Sequence, residues 1–196
     1  MPVGRTHSVS LLGLQGAIVG IEAHIASGLP GFAIIGLPDA ALRQARDRVV
    51  AAATNSGLDL PVTRTTVNLS PAALPKQGSA FDLGIALACL AAARLVDGES
   101  IDRVVHLGEL GLDGRLRPVV GILPAVVAAV KAGRPIVMVP TGNRDEAELV
   151  PGIRVIALPS LREAAIWRGS KQEPSEVEPS MRSMAAGRWR RCQPQS

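Results

Sequence analysis

The amino-acid sequence predicts a mixed α/β domain over residues 1–168. Strand and helix patterns alternate along this stretch, which is typical of folds that pack helices against a sheet. Two β-rich segments, SVSLLGL and AIVGIEAHIA, come first and stand on either side of Gly16, so they predict a hairpin-like pair of strands. Because such a pair is antiparallel, it argues against a purely parallel, doubly wound sheet.

A short strand and a helix follow the predicted hairpin. The segment GFAIIGL (residues 31–37) is apolar and comes after a Leu-Pro-Gly turn, which indicates a strand. Asp39 is the expected N-cap of the helix, which runs to about Ser56. Gly57 is expected to end it.

The middle of the chain predicts a strand and then a buried helix. Residues 63–70 alternate and are rich in β-branched side chains, which favours a strand. Residues 79–95 are rich in Ala and Leu and are apolar on nearly every face. A helix of that composition is expected at the centre of the domain.

The remaining predicted elements are shorter and end at Trp167. A tight turn is expected at residues 112–114, and Gly133 is expected to end the second apolar helix. In chain order we predict a strand at 103–110, a turn into 115–119, a helix at 121–132, strands at 136–140 and 154–158, and a helix at 160–167 capped by Ser160.

Composition separates this domain from a polar tail at residues 169–196. The tail lacks apolar periodicity, contains three prolines and carries the basic run RWRR, so we predict that it is disordered. Apolar residues make up 47% of the whole chain, so the domain can bury a core. Its apolar runs are too short for a transmembrane helix. No secretory leader is recognised, and Cys89 and Cys192 make no disulfide framework, so a cytoplasmic location is expected.

Several common sites are absent from the sequence. No GxxxxGK[ST] motif occurs, so the chain carries no Walker A phosphate cradle. The segment GELGLDG lacks the spacing of a dinucleotide-binding loop and is interpreted as turn chemistry. The three histidines have no metal-ligand spacing, and there is no GxSxG nucleophile elbow. With two Phe, two Trp and no Tyr, a platform that stacks nucleic-acid bases on aromatic rings is not expected, although backbone contact through Arg remains open.

Two long runs carry a family resemblance. GLPGFAIIGLPDAALRQARDRVVAAATNSG and VNLSPAALPKQGSAFDLGIALA closely resemble the N-terminal domain of the ComM/YifB family, the magnesium-chelatase-like AAA+ ATPases linked to competence. The resemblance covers roughly residues 4–168. HLGELGLDGRLRPVVGILPAVVAAVKAG is also similar to the C-terminal half of a Lon-type proteolytic domain. Together these resemblances imply a ribosomal protein S5 domain 2-like fold.

The Lon resemblance also implies where a Ser-Lys catalytic dyad would lie. The lysine position of the second Lon motif falls on Leu123. The serine position falls on Asp82 in one register and on Ala80 in another, with Ser79 one residue early. Lys131 lies two helical turns beyond Leu123 and is too far away to replace the lysine. No register supplies both residues, so the chain is not expected to be an enzyme.

The loop before the buried helix contains the remaining candidates for a site. Ser79 and Asp82 have the spacing of a capping box, which favours a structural role for both. Lys76, Gly78 and Asp82 fit a sparse pattern that resembles a loop of the RadA-type recombination protein, whose Lon-like domain is inactive. Lys76 is therefore a candidate phosphate contact, with a solvated loop lysine as the alternative.

The resemblance implies a non-catalytic domain that helps assemble a ring and contacts DNA during branch migration. Because this chain carries no Walker motifs, it is expected to be either a truncated product or a stand-alone version. No cofactor is expected in this chain; ATP and Mg belong to the AAA+ module of the family. DNA, a homo-oligomer or an AAA+ protein are the expected partners, and no membrane is expected. The candidate nucleic-acid contacts are Arg43, Arg46, Arg48, Arg64, Lys76, Arg115 and Arg117.

Two other functions remain open at this stage. One is a stand-alone S5-like adaptor that binds protein or RNA, since the fold alone does not decide function. The other is a degenerate Ser peptidase.

Overall fold

The computed structural model describes residues 3–36, 39–74, 76, 79–98 and 103–174; for residues 39–42 it describes the backbone alone. Nine strands are described in this part of the chain: β1 Val3–Leu12, β2 Gln15–Ala26, β3 Gly31–Ile35, β4 Arg64–Ser70, β5 Val105–His106, β6 Glu109–Leu110, β7 Leu116–Arg117, β8 Ile136–Pro140 and β9 Arg154–Leu158. The described α-helices are α1 Asp39–Asn55, α2 Asp82–Ala92, α3 Ile122–Lys131, α4 Arg144–Ala147 and α5 Leu161–Trp167. A 3₁₀ turn, Thr141–Asn143, precedes α4.

Seven of the strands form one mixed sheet in the order β3-β4-β2-β1-β5-β8-β9. The β1–β2 and β2–β4 pairs are antiparallel, whereas the β3–β4, β1–β5, β5–β8 and β8–β9 pairs are parallel. The mixed α/β class is therefore confirmed, and so is the argument against a purely parallel sheet.

The predicted hairpin is present, but its turn lies earlier than expected. Strand β1 pairs with β2 from Val3↔His24 to Leu12↔Gln15. Gly13 occupies the turn with φ of 60°, a left-handed conformation that glycine adopts without strain. Gly16, which was expected to separate the strands, lies inside β2. A glycine is needed at this position because Ala128 of α3 approaches so closely that a side chain would not fit.

Two further predictions of boundaries are wrong. The strand expected at 103–110 is divided: β5 belongs to the large sheet, whereas β6 pairs only with β7 in a separate hairpin. The helix expected from residue 79 begins at Asp82, since the three preceding residues form a turn closed by the Asp82 amide on the Ser79 carbonyl at 3.1 Å. The short helical turns between 141 and 147 lack sufficient length to give a periodic signal and were not predicted.

Helices cover both faces of the sheet. On one face α1, α2 and α5 pack against β2 and β4, and every residue of α2 is buried, as its composition predicts. On the other face α3 and α4 pack against β1, β5 and β8. The β6–β7 hairpin leaves the sheet after β5 and lies beside α1, where the Asn55 side-chain amide donates to the Leu112 carbonyl at 2.6 Å.

The predicted domain boundary at residue 168 stays a prediction. The described chain continues past α5, and the Gln172 side-chain amide donates to the Gly57 carbonyl at 2.6 Å. Residues 175–196, which hold most of the predicted tail, lie outside the described residues. Within the described residues, no helix has both the length and the apolar character needed to cross a bilayer.

Candidate functional site

A cavity of about 370 Å³ opens at the carboxyl ends of the parallel strands β1 and β5. In mixed and parallel α/β sheets, this edge is where ligands bind. The first turn of α3 forms one wall and the segment before α2 forms another. The lining residues are Val9, Leu11, Ser79, Ala80, Leu107, Glu109, Pro118, Val119, Val120, Gly121, Ile122 and Ala125.

Ser79 and Glu109 form the polar part of this largely apolar lining. The Ser79 hydroxyl donates a hydrogen bond to the Glu109 carboxylate. The predicted capping box is therefore wrong: Phe81 is the N-cap of α2 and makes no side-chain cap bond. Ser79 does not cap the helix because α2 begins too late for its hydroxyl to reach the first amides. Glu109 was not singled out from the sequence, where it appears only as a polar residue in a presumed strand.

Asp82 is turned away from Ser79 and pairs with Arg48 of α1. Arg48 donates to the Asp82 carboxylate through Nε at 2.6 Å and Nη2 at 3.1 Å, and the Leu110 amide donates at 3.2 Å. Burial raises the pKa of Asp82 to about 6, although these three donors favour its ionised form. Asp82 is thus a buried junction between α1, α2 and β6.

Leu123 lies in the first turn of α3, close to the cavity but with an apolar side chain that is 39% exposed. Its backbone amide donates to Glu146 of α4 at 2.9 Å, so that carboxylate replaces a helix cap. Lys131 is the last residue of α3, at the far end from Ile122. The structure thus brings Ser79, Ala80 and the start of α3 together around one cavity, and no lysine is among the residues lining it.

Lys76 is neither a solvated lysine nor an exposed anion contact. Its side chain is 2% exposed, and its ammonium donates to the Pro71 carbonyl at 2.6 Å and the Leu74 carbonyl at 3.2 Å. Burial lowers the pKa of Lys76. The prediction missed this because a lysine in a polar loop gives no sequence signal for turning inward. Gly78 and the side chain of Asp39 lie outside the described residues, although α1 does begin at Asp39.

The arginine candidates fall into two groups. Arg48 is half-buried and engaged by Asp82, so it is a structural residue. The others are exposed: Arg43 and Arg46 on α1, Arg64 at the start of β4, and Arg115 and Arg117 at β7, with Arg115 3.8 Å from the Asp113 carboxylate. The α1 and β7 residues belong to neighbouring elements, since α1 contacts the turn between β6 and β7.

A second buried polar cluster joins Arg168, the residue after α5, to His106 of β5. Arg168 donates to His106 Nε2 at 3.4 Å, and His106 Nδ1 faces the His7 carbonyl at 3.3 Å. Because arginine only donates, His106 Nε2 must accept, so Nδ1 carries the proton. Burial, together with the charge of Arg168, lowers the pKa of His106 to about 3. This arrangement holds a neutral imidazole in the core.

The chemistry available at the cavity is limited. Ser79 has a carboxylate as its hydrogen-bond partner and no amine or imidazole among the cavity residues to accept its proton in the Lon manner. Among the described residues, no group of three or more His, Cys, Asp or Glu side chains is placed to bind a metal ion. The site can bind a ligand by shape and by charge at Glu109.

The mixed α/β topology fits a Lon-like fold, and similarity to Lon proteases supports that class. The chain is 29% identical over 156 residues to the Lon protease of Mycolicibacterium smegmatis, covering 76% of this chain and 20% of that protein. Residues 21–143 match the family described as subunit ChlI of Mg-chelatase, and the chain belongs to this family.

Closer relatives support the same assignment. The chain is 52% identical over 171 residues to an uncharacterized protein of Mycobacterium tuberculosis, covering 87% of this chain and 34% of that protein. It is 41% identical to YifB of Escherichia coli over 78% of this chain and 30% of YifB. It is also 41% identical to the competence protein ComM of Haemophilus influenzae over 76% of this chain and 29% of ComM. The chain therefore spans 29–34% of the length of these three relatives.

Proposed function

We propose that this chain acts as a non-catalytic Lon-like domain of a ComM/YifB-type, Mg-chelatase-like ATPase. In that role it contributes to ring assembly and contacts DNA during branch migration in natural transformation and recombination, in the cytoplasm. The observation that carries the proposal is the cavity where Ser79 and Ala80 meet the start of α3, because Leu123 stands where the Lon resemblance places the lysine of the dyad and none of the described lining residues is a lysine. Membership in the family and the similarity to ComM support it.

The non-catalytic part of the proposal follows from the position of Ser79. A serine nucleophile needs a general base that removes its proton as it attacks. The hydroxyl of Ser79 instead donates to Glu109, a weak base, and Leu123 supplies no amine. The domain therefore serves by binding rather than by hydrolysis.

The DNA-contact part of the proposal rests on the exposed arginines of α1 and β7. Lys76 and Arg48 are removed from the set of candidates, because each is engaged inside the protein. Arg43, Arg46, Arg64, Arg115 and Arg117 remain exposed and are the residues we assign to phosphate contact. Such contacts give affinity without sequence preference.

Fluorescence anisotropy of the full chain with a labelled DNA duplex tests this proposal. The double variant Arg43→Gln/Arg46→Gln is expected to bind about tenfold more weakly at low salt, because two phosphate contacts are lost. The matched control is Arg144→Gln/Arg154→Gln, which removes the same charge from exposed positions on α4 and β9. Equal loss in both variants would mean that net charge alone attracts DNA, and no binding by the unaltered chain would refute DNA contact.

An RNA duplex and a protein pulldown address the adaptor alternative. An adaptor is expected to bind RNA or an AAA+ protein in preference to DNA of the same length. The proposed function instead requires DNA to compete at least equally for the same arginines.

A further inference from the structure

We propose that the cavity between β1, the segment before α2 and the start of α3 binds a lysine or arginine side chain presented by a segment of a partner protein. None of the exposed arginines discussed above lines the cavity, although Arg117 pairs with Glu109 across the β6–β7 hairpin. Under the proposed function the cavity performs no peptidase chemistry, and the inference gives this cavity a role in binding.

The shape and the lining of the cavity fit an aliphatic stem. Its volume of about 370 Å³ is within the usual range for ligand sites. Val9, Leu107, Ile122 and Ala125 are buried apolar residues of its wall. The methylene stems of lysine and arginine pack on such surfaces while their charged ends reach a polar partner.

The charge in the cavity fits a cation. Glu109 is the acidic residue of the lining, and no lysine, arginine or histidine is among the lining residues that the structure describes. Among the described residues, the Glu109 carboxylate accepts a hydrogen bond from Ser79 and takes part in no ion pair within 4.0 Å, although Arg48 is close enough to interact with it electrostatically. A carboxylate has room for about four hydrogen bonds, so Glu109 can accept an ammonium or guanidinium group in addition to Ser79.

The backbone amides in the first turn of α3 do not make the cavity a binding site for anions. The Leu123 amide is taken by Glu146, and Pro124 has no amide hydrogen to offer. The backbone donors usually available at a helix N-terminus are therefore reduced at this wall. This leaves the Glu109 carboxylate as the main electrostatic feature facing a ligand.

The rim of the cavity indicates that the cation arrives on a protein segment. Val120 lines the opening and is 95% exposed, and Leu123, next to Ile122, is 39% exposed. Exposed apolar residues around a concave site are typical of protein-binding surfaces. Residues flanking the inserted lysine or arginine would cover them.

Methyl NMR of the full chain, with titration of short capped peptides, tests the proposal. The probes are acetyl-Leu-Lys-Leu-amide and two peptides in which norleucine or glutamate replaces the lysine. The lysine peptide is expected to shift the methyl signals of Val9, Leu107, Ile122 and Ala125 and to bind at least about tenfold more tightly than the norleucine peptide. The glutamate peptide is expected to bind more weakly than both.

Variants at one position separate charge from shape. Glu109→Gln keeps the size of the side chain and is expected to reduce the affinity for the lysine peptide to that for the norleucine peptide. Glu148→Gln, at an exposed position after α4, removes the same charge outside the cavity and is expected to change nothing. Equal binding of the three peptides, tighter binding of the glutamate peptide, or no shift of the cavity methyl groups at millimolar peptide would overturn the proposal.

Discussion

At the scale of single residues, polar groups in the core decide how the protein responds to pH. His106 is fully buried and its pKa is lowered from 6.5 to about 3, so the native chain keeps it neutral. The unfolded chain binds a proton at His106 below pH 6.5, whereas the native chain does so only near pH 3. Stability therefore falls as the pH drops through this window.

We predict that this loss is carried by His106 and disappears in His106→Gln. Between neutral pH and about pH 4.5 the stability of the unaltered chain relative to the variant is expected to fall by roughly 2–3 kcal/mol. Urea unfolding at both pH values measures it. Asp82 acts in the opposite sense, because its pKa is raised from 3.8 to about 6, but it is present in both proteins and cancels. Parallel pH profiles of the two proteins would show that His106 is not responsible.

Arg48 is expected to stabilise the fold by neutralising the buried Asp82 carboxylate. Arg48→Met leaves that charge without its partner and should cost about 3 kcal/mol at neutral pH, as for other broken buried pairs. The cost should shrink as the pH falls towards 6, because without Arg48 the Asp82 carboxyl takes up a proton at a higher pH than in the unaltered chain. Chemical denaturation of Arg48→Met and of Arg48→Met/Asp82→Leu measures this, and the double variant is expected to recover most of the loss. If the double variant stays as unstable as the single one, the ion pair is not the cause.

Ser79 is expected to be unreactive towards fluorophosphonate probes, because its hydroxyl donates to Glu109 and no amine activates it. Labelling of the full chain, detected by mass spectrometry, measures this. Labelling that disappears in Ser79→Ala would restore the degenerate peptidase as a candidate.

At the scale of elements, the close packing of β1 on α2 depends on Gly4. A Cβ atom there would lie 2.0 Å from the Ala88 carbonyl oxygen and 2.7 Å from the Ala92 nitrogen, and backbone atoms of a buried helix cannot move away. We predict that Gly4→Ala destabilises the protein by about 3 kcal/mol. Gly31→Ala, whose Cβ would meet no atom nearer than 4.0 Å, is the control and should change stability by less than about 0.5 kcal/mol. Thermal unfolding of both variants compares them, and equal melting temperatures would contradict the packing argument.

Long elements of this fold can be predicted from the sequence, whereas the shortest strands cannot. Strand β4 was predicted from the alternation of its residues, and helix α2 from its length and its Ala- and Leu-rich composition, which also predicts its burial. The division between β5 and β6 was not predicted, because strands of two residues carry no period. Ser79 was recognised as a candidate but given the wrong partner, since its bond to Glu109 spans 30 residues and no local pattern encodes it.

At the scale of the whole molecule, the proposed function requires α1 and β7 to act as one phosphate-binding surface. These elements are distant in sequence but meet in space, as the hydrogen bond from Asn55 at the end of α1 to the turn between β6 and β7 shows. Each phosphate contact contributes about 0.9 to the slope of log affinity against log salt concentration.

The salt dependence of DNA binding therefore measures whether the two elements share one surface. Arg43→Gln/Arg46→Gln and Arg115→Gln/Arg117→Gln should each lower the slope by about 2, and the quadruple variant should lower it by about 4. Additive losses mean that all four arginines meet the same DNA in one complex. If the quadruple variant loses no more slope than one of the double variants, only one element contacts DNA, and phosphate contact by the arginines of the other element is refuted.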